Sequence, residues 1–432
     1  MPTAPFDPSD GLAEAELVAV ALALNPDLAA RRAARGLAEA ELLAAGLWPD
    51  PELGLAVLPG LGEERSTNLE AELAFALRRP GERRARREAA RAGTRQVEAE
   101  VLAAERLLVG AVRHAHLDVL AASAEVAQLE RAVDLRDRAL ELLRERRRVG
   151  EGTELDVSVA ELELAAVRTE LRAARARSEA DLHMLTALLG LPPGFPLVLE
   201  AAGRPFDAAL YDARAGGSWA SGAGPAAHQP LEVVLYDAIT AEELDEGLLG
   251  GRFELRALEA SHARAERELR VAHLARFPRL SCGPALAREE GQKYLGFGVS
   301  LVLPILDRGR GEIAARTARR DEARAEYVAA LHRLRAEAWA ARARLARARA
   351  EVDVQRGEVL PLVERDQALY EEAFRTGELS VLDWVVAQER ALRSRRGWLA
   401  ALTAYRRALI DLETALGMPL ERSLAPPEGG DQ

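Results

Sequence analysis

Residues 81–191 contain no proline, and their apolar positions recur at helical spacing. At 1.5 Å per residue, the stretch 81–148 alone would make a rod of roughly 100 Å. No compact domain encloses such a rod. Its one clustered interruption, Arg148-Val149-Gly150-Glu151-Gly152-Thr153, reads as a tip where the chain turns back. The returning helix, 153–189, has about half the outward length, and so has the helical stretch 12–47. Laid end to end, those two match the long helix, which predicts a long antiparallel helical wall whose return leg is broken midway. Taken alone, the helices would also suit a coiled-coil stalk.

The plan is used twice. Gly150 recurs as Gly377, Leu155-Asp156 as Leu382-Asp383, Ala160 as Ala387 and Leu189-Gly190 as Leu416-Gly417, all at an offset of 227 positions. Trp48-Pro49 answers to Phe277-Pro278 at a slightly longer spacing. So long a period marks a duplicated half and not a solenoid. The first repeat covers 1–199 and the second 241–420; residues 200–240, rich in Gly, Ala and Pro, link them, and 421–432 read as a disordered tail. The second repeat places a helix at about 241–276, a long helix at about 305–375, a tip, and a returning helix at about 379–416.

Two alternating runs decide the fold class. Leu69, Ala71, Leu73, Phe75 and Leu77 oppose Glu70, Glu72, Ala74 and Ala76; Leu295, Phe297, Val299, Leu301 and Leu303 oppose Gly296, Gly298 and Ser300. A period of two over about ten residues is the pattern of a strand with one face in lipid. Leu73, Phe75, Leu295, Phe297 and Val299 are the lipid-facing candidates. The partner runs, Leu53–Leu58 and Leu280–Ala287, are weaker and carry Gly54, Gly283 and Pro284. They complete hairpins at about 53–77 and 280–303 with polar, glycine-bearing turns. Soluble hairpins beside a helical body are the other reading of these runs. Four strands cannot close a barrel, and open edges do not survive in lipid. Three copies supply twelve strands, which can close. The expected fold is therefore mainly α with a small β part: a long antiparallel α-helical barrel or tunnel, with four strands per protomer contributing to a twelve-stranded trimeric β-barrel.

The remaining composition mostly excludes. A net charge of −11 argues against nucleic acid as a partner. Cys282 is the only cysteine, so no intramolecular disulfide or cysteine-based metal site can form. No run approaches the roughly 20 apolar residues of a transmembrane helix. The early apolar segment Leu17–Leu24 follows Glu14 and Glu16, and no basic residue precedes Arg31, which is not the pattern of a signal peptide. An exported form is expected to carry a leader outside this sequence. Gly217 and Gly222 have the spacing of a phosphate loop, but Ala223-Gly224 follow where Lys and Ser/Thr are needed. His114 and His116 face different sides of a helix, and His183 with Glu179 or His262 with Glu266 are only pairs. No enzyme activity, cofactor or metal site is expected. Arg83, Arg84, Arg86 and Arg87 open the first long helix and oppose its dipole. Lipid headgroups would favour them there, and plain solvation is the alternative.

Several segments together resemble the TolC family of outer-membrane efflux channels. Leu12-Ala13-Glu14-Ala15 with Ala21-Leu22-Ala23-Leu24-Asn25-Pro26 is similar to its opening, and Trp48-Pro49-Asp50-Pro51-Glu52-Leu53 to its approach to the first strand. Leu303-Pro304-Ile305-Leu306-Asp307-Arg308-Gly309 resembles the exit from the last strand, and Phe374-Arg375-Thr376-Gly377-Glu378-Leu379-Ser380 the second helix tip. Leu77-Arg78-Arg79-Pro80-Gly81-Glu82-Arg83 looks most like the branch serving heavy-metal resistance-nodulation-division pumps. The resemblance implies a homotrimer that spans outer-membrane lipid and projects into the periplasm. There it meets a periplasmic adaptor (membrane fusion) protein and, through it, an inner-membrane pump of the resistance-nodulation-division type. Such a channel is a passive exit duct for metal cations or drugs and opens when its tip helices untwist.

The resemblance also assigns the tips to adaptor contact: Val149, Gly150, Glu151 and Thr153 in the first repeat; Thr376, Gly377, Glu378, Leu379 and Ser380 in the second. Read from the residues alone, these are turns, with glycine in left-handed geometry and Thr153 and Ser380 as N-caps. In a trimer, Asp156 and Asp383 would place six carboxylates at the periplasmic mouth, a ring favouring cations. Some family members carry another carboxylate where Val386 stands here. Alternatively, each aspartate complements the dipole of its own helix. A soluble coiled-coil scaffold or tether without transport activity is the competing reading of the whole chain, and the paired hairpins count against it.

Overall fold

A computed structural model of the protein describes residues 11–59, 67–150, 152–199, 247–289, 292–376, 378–379 and 381–417. The linker 200–240 and the tail 421–432 lie outside the described residues. In chain order the elements are α1 (Glu14–Leu24), α2 (Pro26–Gly46), β1 (Glu52–Pro59), β2 (Thr67–Leu77), α3 (Glu82–Arg148), α4 (Glu154–Leu188), α5 (Phe253–Leu274), β3 (Arg279–Glu289), β4 (Gln292–Val302) and α6 (Arg310–Val354). A π-helix (Gln355–Val359), α7 (Leu360–Thr376) and α8 (Val381–Leu416) complete the chain.

The 67 residues of α3 run without a break. Other expected helices are interrupted, and the one at about 241–276 breaks at Arg252, whose backbone is extended, ahead of α5. The stretch 12–47 divides at Asn25, whose backbone is extended. Its side chain accepts from the Leu28 N–H at 2.9 Å and donates to the Leu188 carbonyl at 2.9 Å. Pro26 then opens α2 at a position where a missing N–H costs nothing. The second-repeat helix starts at Arg310, not near 305, and passes through the π-helix before α7. Pro361 explains that interruption: it donates no hydrogen bond, and its ring crowds the carbonyl four residues back. The chain widens by one residue, and the Leu360 N–H reaches the Gln355 carbonyl instead.

The chain forms two compact units. Residues 1–29, 104–251 and 334–432 make the first, and 30–103 with 252–333 the second. In the first, α1, α4 and the C-terminal part of α3 bury Leu17, Ala21, Val112, Val119, Leu185 and Leu189 together. Leu117 and Leu120 pack against Leu402 and Ile410 of α8. Nearer the end of α3, Leu140 and Leu143 meet Val157, Ala160 and Leu164 of α4. A polar knot interrupts this packing. The Arg113 Nε donates to Glu14 at 2.6 Å while its Nη1 pairs with Glu413, and His116 Nδ1 lies 3.8 Å from Glu14.

The second unit holds one antiparallel sheet in the order β1-β2-β3-β4. Leu53 pairs with Leu73, Leu55 with Ala71, Phe75 with Cys282, and Leu280 with Leu301. Residues directly opposite one another share a face, so the register gathers the large apolar side chains onto one side. Glu70, Glu72, Ala285, Gly296 and Gly298 fall on the other. The ladder between β2 and β3 lapses beside Gly283 and Pro284. Pro284 has no N–H to give, and the strands close in so far that a Cβ on Gly283 would collide with the Leu73 carbonyl oxygen. Those residues weaken the strand pattern in the sequence because the backbone there needs room. Among the described residues, no helix is long and apolar enough to cross a membrane.

Candidate functional site

The sheet turns its apolar face outward. Leu295 is 79% exposed and Phe297 68%; Leu53, Leu55, Val57, Phe75 and Val299 are also exposed. Leu73 is half-buried on the same face. Side chains of this size left in water would be a severe liability. The outer strands β1 and β4 each have a neighbour on one side only among the described residues, so both edges of the ladder are open. An outward apolar band and two unpaired edges both call for cover that the described residues do not supply.

At the first-repeat tip, α3 ends at Arg148 and the Gly150 N–H closes onto the Arg147 carbonyl at 3.1 Å. Gly150 has φ +86°, open to glycine and strained for a side chain bearing a Cβ. Thr153 and Asp156 cap α4 reciprocally. The Asp156 N–H donates to the Thr153 hydroxyl oxygen at 3.2 Å, and the Thr153 N–H and hydroxyl donate to the Asp156 carboxylate at 3.0 and 2.7 Å. These bonds hold the Asp156 carboxyl below its usual value. Arg147 and Glu154 pair across the turn at 2.5 Å. Val149 and Leu155, each 71% exposed, stand on either side of it. Leu155 belongs to the repeated Leu-Asp pair, of which the sequence pattern singles out only the aspartate as functional. Glu151 lies outside the described residues.

The second tip differs. Gly377 and Ser380 lie outside the described residues. The Thr376 hydroxyl donates back to the Glu372 carbonyl at 3.1 Å, and the Glu378 N–H reaches the Ala373 carbonyl at 2.9 Å. Leu379 packs against Ala139, Trp384 and Val385 and is half-buried. It fixes the tip to α3 and α8 and offers little surface of its own. Asp383 is exposed in the first turn of α8.

The sequence profile of the outer membrane efflux protein family matches residues 17–191 and 246–418, one segment for each repeat. The chain belongs to that family. Solved structures with the same fold include the outer-membrane channel OprN, at 20% identity and a TM-score of 0.72 over 94% of this chain and 89% of that one. The outer membrane protein VceC from Vibrio cholerae is 20% identical, with a TM-score of 0.70 over 94% and 96%. The Campylobacter jejuni CmeC outer membrane channel is 17% identical, with a TM-score of 0.72 over 96% and 93%. No curated protein sequence matches the chain. As a member of the outer membrane efflux family, the protein is a channel of the bacterial outer membrane with a large periplasmic helical part, and not an enzyme. Channels of this family are trimeric and work with adaptor proteins and inner-membrane pumps. The soluble-scaffold alternative finds no support.

Proposed function

We propose that the first-repeat tip is the docking surface for the periplasmic adaptor, with Val149 and Leu155 as its apolar anchors. The observation that carries this is their exposure on either side of a turn already held by Gly150 and the Thr153–Asp156 cap. The second tip contributes Thr376 and Glu378. The apolar sheet face, through Leu73, Phe75, Leu295, Phe297 and Val299, meets outer-membrane lipid. Asp156 and Asp383 supply negative charge at the periplasmic mouth, and Asp156 does so while also capping its helix. The pump is of the resistance-nodulation-division type, and the Arg-rich exit from β2 supports its heavy-metal branch.

Val149→Asp with Leu155→Asp tests the docking reading in cells that carry the adaptor and pump. Normal amounts of outer-membrane trimer are expected, with adaptor cross-linking reduced about tenfold or more, as befits two interface anchors, and efflux lost. Undiminished cross-linking and efflux would refute it. Asp156→Asn with Asp383→Asn should lower cation preference in planar bilayers and leave adaptor capture intact; unchanged ion preference would reduce both residues to helix-end electrostatics.

A further inference from the structure

The start of β1, the end of β2, the start of β3 and the end of β4 lie at one end of the sheet, as the pairs Glu52–Ala74, Leu77–Leu280 and Arg279–Val302 require. The connecting segments at that end, residues 47–52, 78–88, 275–279 and 303–312, hold ten arginines against six carboxylates in a chain of net charge −11. Two of those arginines are structural. Arg78 donates to the Leu47 carbonyl at 2.6 Å and the Arg79 Nε to the Phe277 carbonyl at 2.7 Å, in the segments ahead of β1 and β3. Buried Glu82 is taken up by Arg79 at 3.6 Å and Arg86 at 2.8 Å. Glu88 is shared between Arg84 at 2.9 Å and Arg270 at 3.8 Å. Exposed Arg83 and Arg87 have no carboxylate partner among the described residues. The cluster repels itself: partial burial first, then the Arg86 and Arg83 charges, push the Arg78 guanidinium below its ordinary value, against the pull of Glu82.

Apolar side chains are exposed at the same end. Trp48 and Phe277, equivalent positions of the two repeats, stand out into solvent, and Leu306 is 93% exposed. Aromatic and aliphatic groups beside arginines, at the border of a lipid-facing strand band, mark where hydrocarbon gives way to headgroups. Arginine's planar fork suits phosphate oxygens better than bulk solvation requires. We propose that this collar binds the phosphodiester headgroups of anionic glycerophospholipids in the periplasmic leaflet. Arg83, Arg84 and Arg87 contact the phosphate, while Trp48, Phe277 and Leu306 rest against the acyl chains. The inference rests on the channel reading, since it takes the sheet to lie in the membrane with its helical end toward the periplasm.

The test uses the full chain, purified as trimers in neutral detergent and exposed to phosphatidylglycerol or phosphatidylethanolamine. Lipid retained per trimer is counted by native mass spectrometry. Phosphatidylglycerol is expected to be retained in preference, and glycerol 3-phosphate, which has no acyl chains, should not displace it. One arginine near a charged lipid surface is worth about a fivefold factor. Arg83→Ala with Arg84→Ala and Arg87→Ala should therefore weaken phosphatidylglycerol binding on the order of a hundredfold, and the corresponding triple lysine variant, which keeps the charge without the planar fork, should fall between that and the unaltered chain. Equal retention of the two lipids, displacement by glycerol 3-phosphate, or undiminished binding by the alanine variant would overturn the proposal. Conductance in uncharged bilayers separates the two readings. If trimers conduct there and one of those three results is found, only the collar falls; if the unaltered chain forms no conducting trimer, the channel reading falls and takes the collar with it.

Discussion

Arg113 holds together three segments far apart in the chain, pairing with Glu14 of α1 and Glu413 of α8 from its place on α3. Burial acts to raise the Glu14 carboxyl, but the neighbouring His116 imidazole and the charge and hydrogen bond of Arg113 outweigh it and hold the value at about 2, against the ordinary 4.5. A carboxyl depressed on folding contributes its full stability above its unfolded value, and loses it as pH falls through the folded one. Trimers in detergent should therefore lose thermal stability progressively between about pH 4.5 and pH 2. In Arg113→Leu the loss over that range should shrink, because the folded Glu14 carboxyl then lies closer to its unfolded value. At neutral pH that variant should cost about 2–3 kcal/mol, less than a fully buried pair because these side chains keep some exposure. Identical melting profiles of the two proteins from pH 7 to pH 2 would contradict this account. The sequence shows each of these charges but not their meeting, because nothing local relates residues 14, 113 and 413. The cap at Thr153 was legible for the opposite reason: both partners sit within one helical turn.

At the scale of the element, the strands were legible and their neighbours only in part. Alternation identifies the strands, and β1 and β2, like β3 and β4, are close neighbours in the sequence. The β2–β3 pairing brings together residues some 200 positions apart, and only the three-dimensional register reveals it. Pro361 is the visible mark of the π-helix, yet a proline alone cannot say whether a helix ends, kinks or widens. Leu379 reads as tip surface because its sequence neighbours are turn residues, while its side chain is claimed by Trp384 and Ala139. The two faces of the sheet give the sharper test. Phe297→Arg should cost about 2–4 kcal/mol at mid-bilayer and sharply reduce the trimer recovered from outer-membrane fractions. Ser300→Arg, on the opposite face, should leave recovery near normal. Similar losses at both positions would mean that β4 does not turn one face to lipid.

For the whole molecule the deciding constraint is that, among its described residues, each chain brings four strands and two open edges. A closed transmembrane barrel needs at least about eight strands, and three chains supply twelve. The efflux family's profile, matched once in each repeat, reflects the same duplicated plan that the 227-residue offset reveals. What the chain transports was not legible: a passive conduit needs no binding pocket for its cargo, so cargo leaves little imprint on the residues. The folded, functional unit is a membrane-embedded trimer. Light scattering coupled to size-exclusion chromatography tests it most directly. With a chain mass of 46.8 kDa, protein extracted in detergent should show a protein mass of about 140 kDa once bound detergent is subtracted, and should precipitate when detergent is removed; a monodisperse monomer in detergent-free buffer would contradict the account.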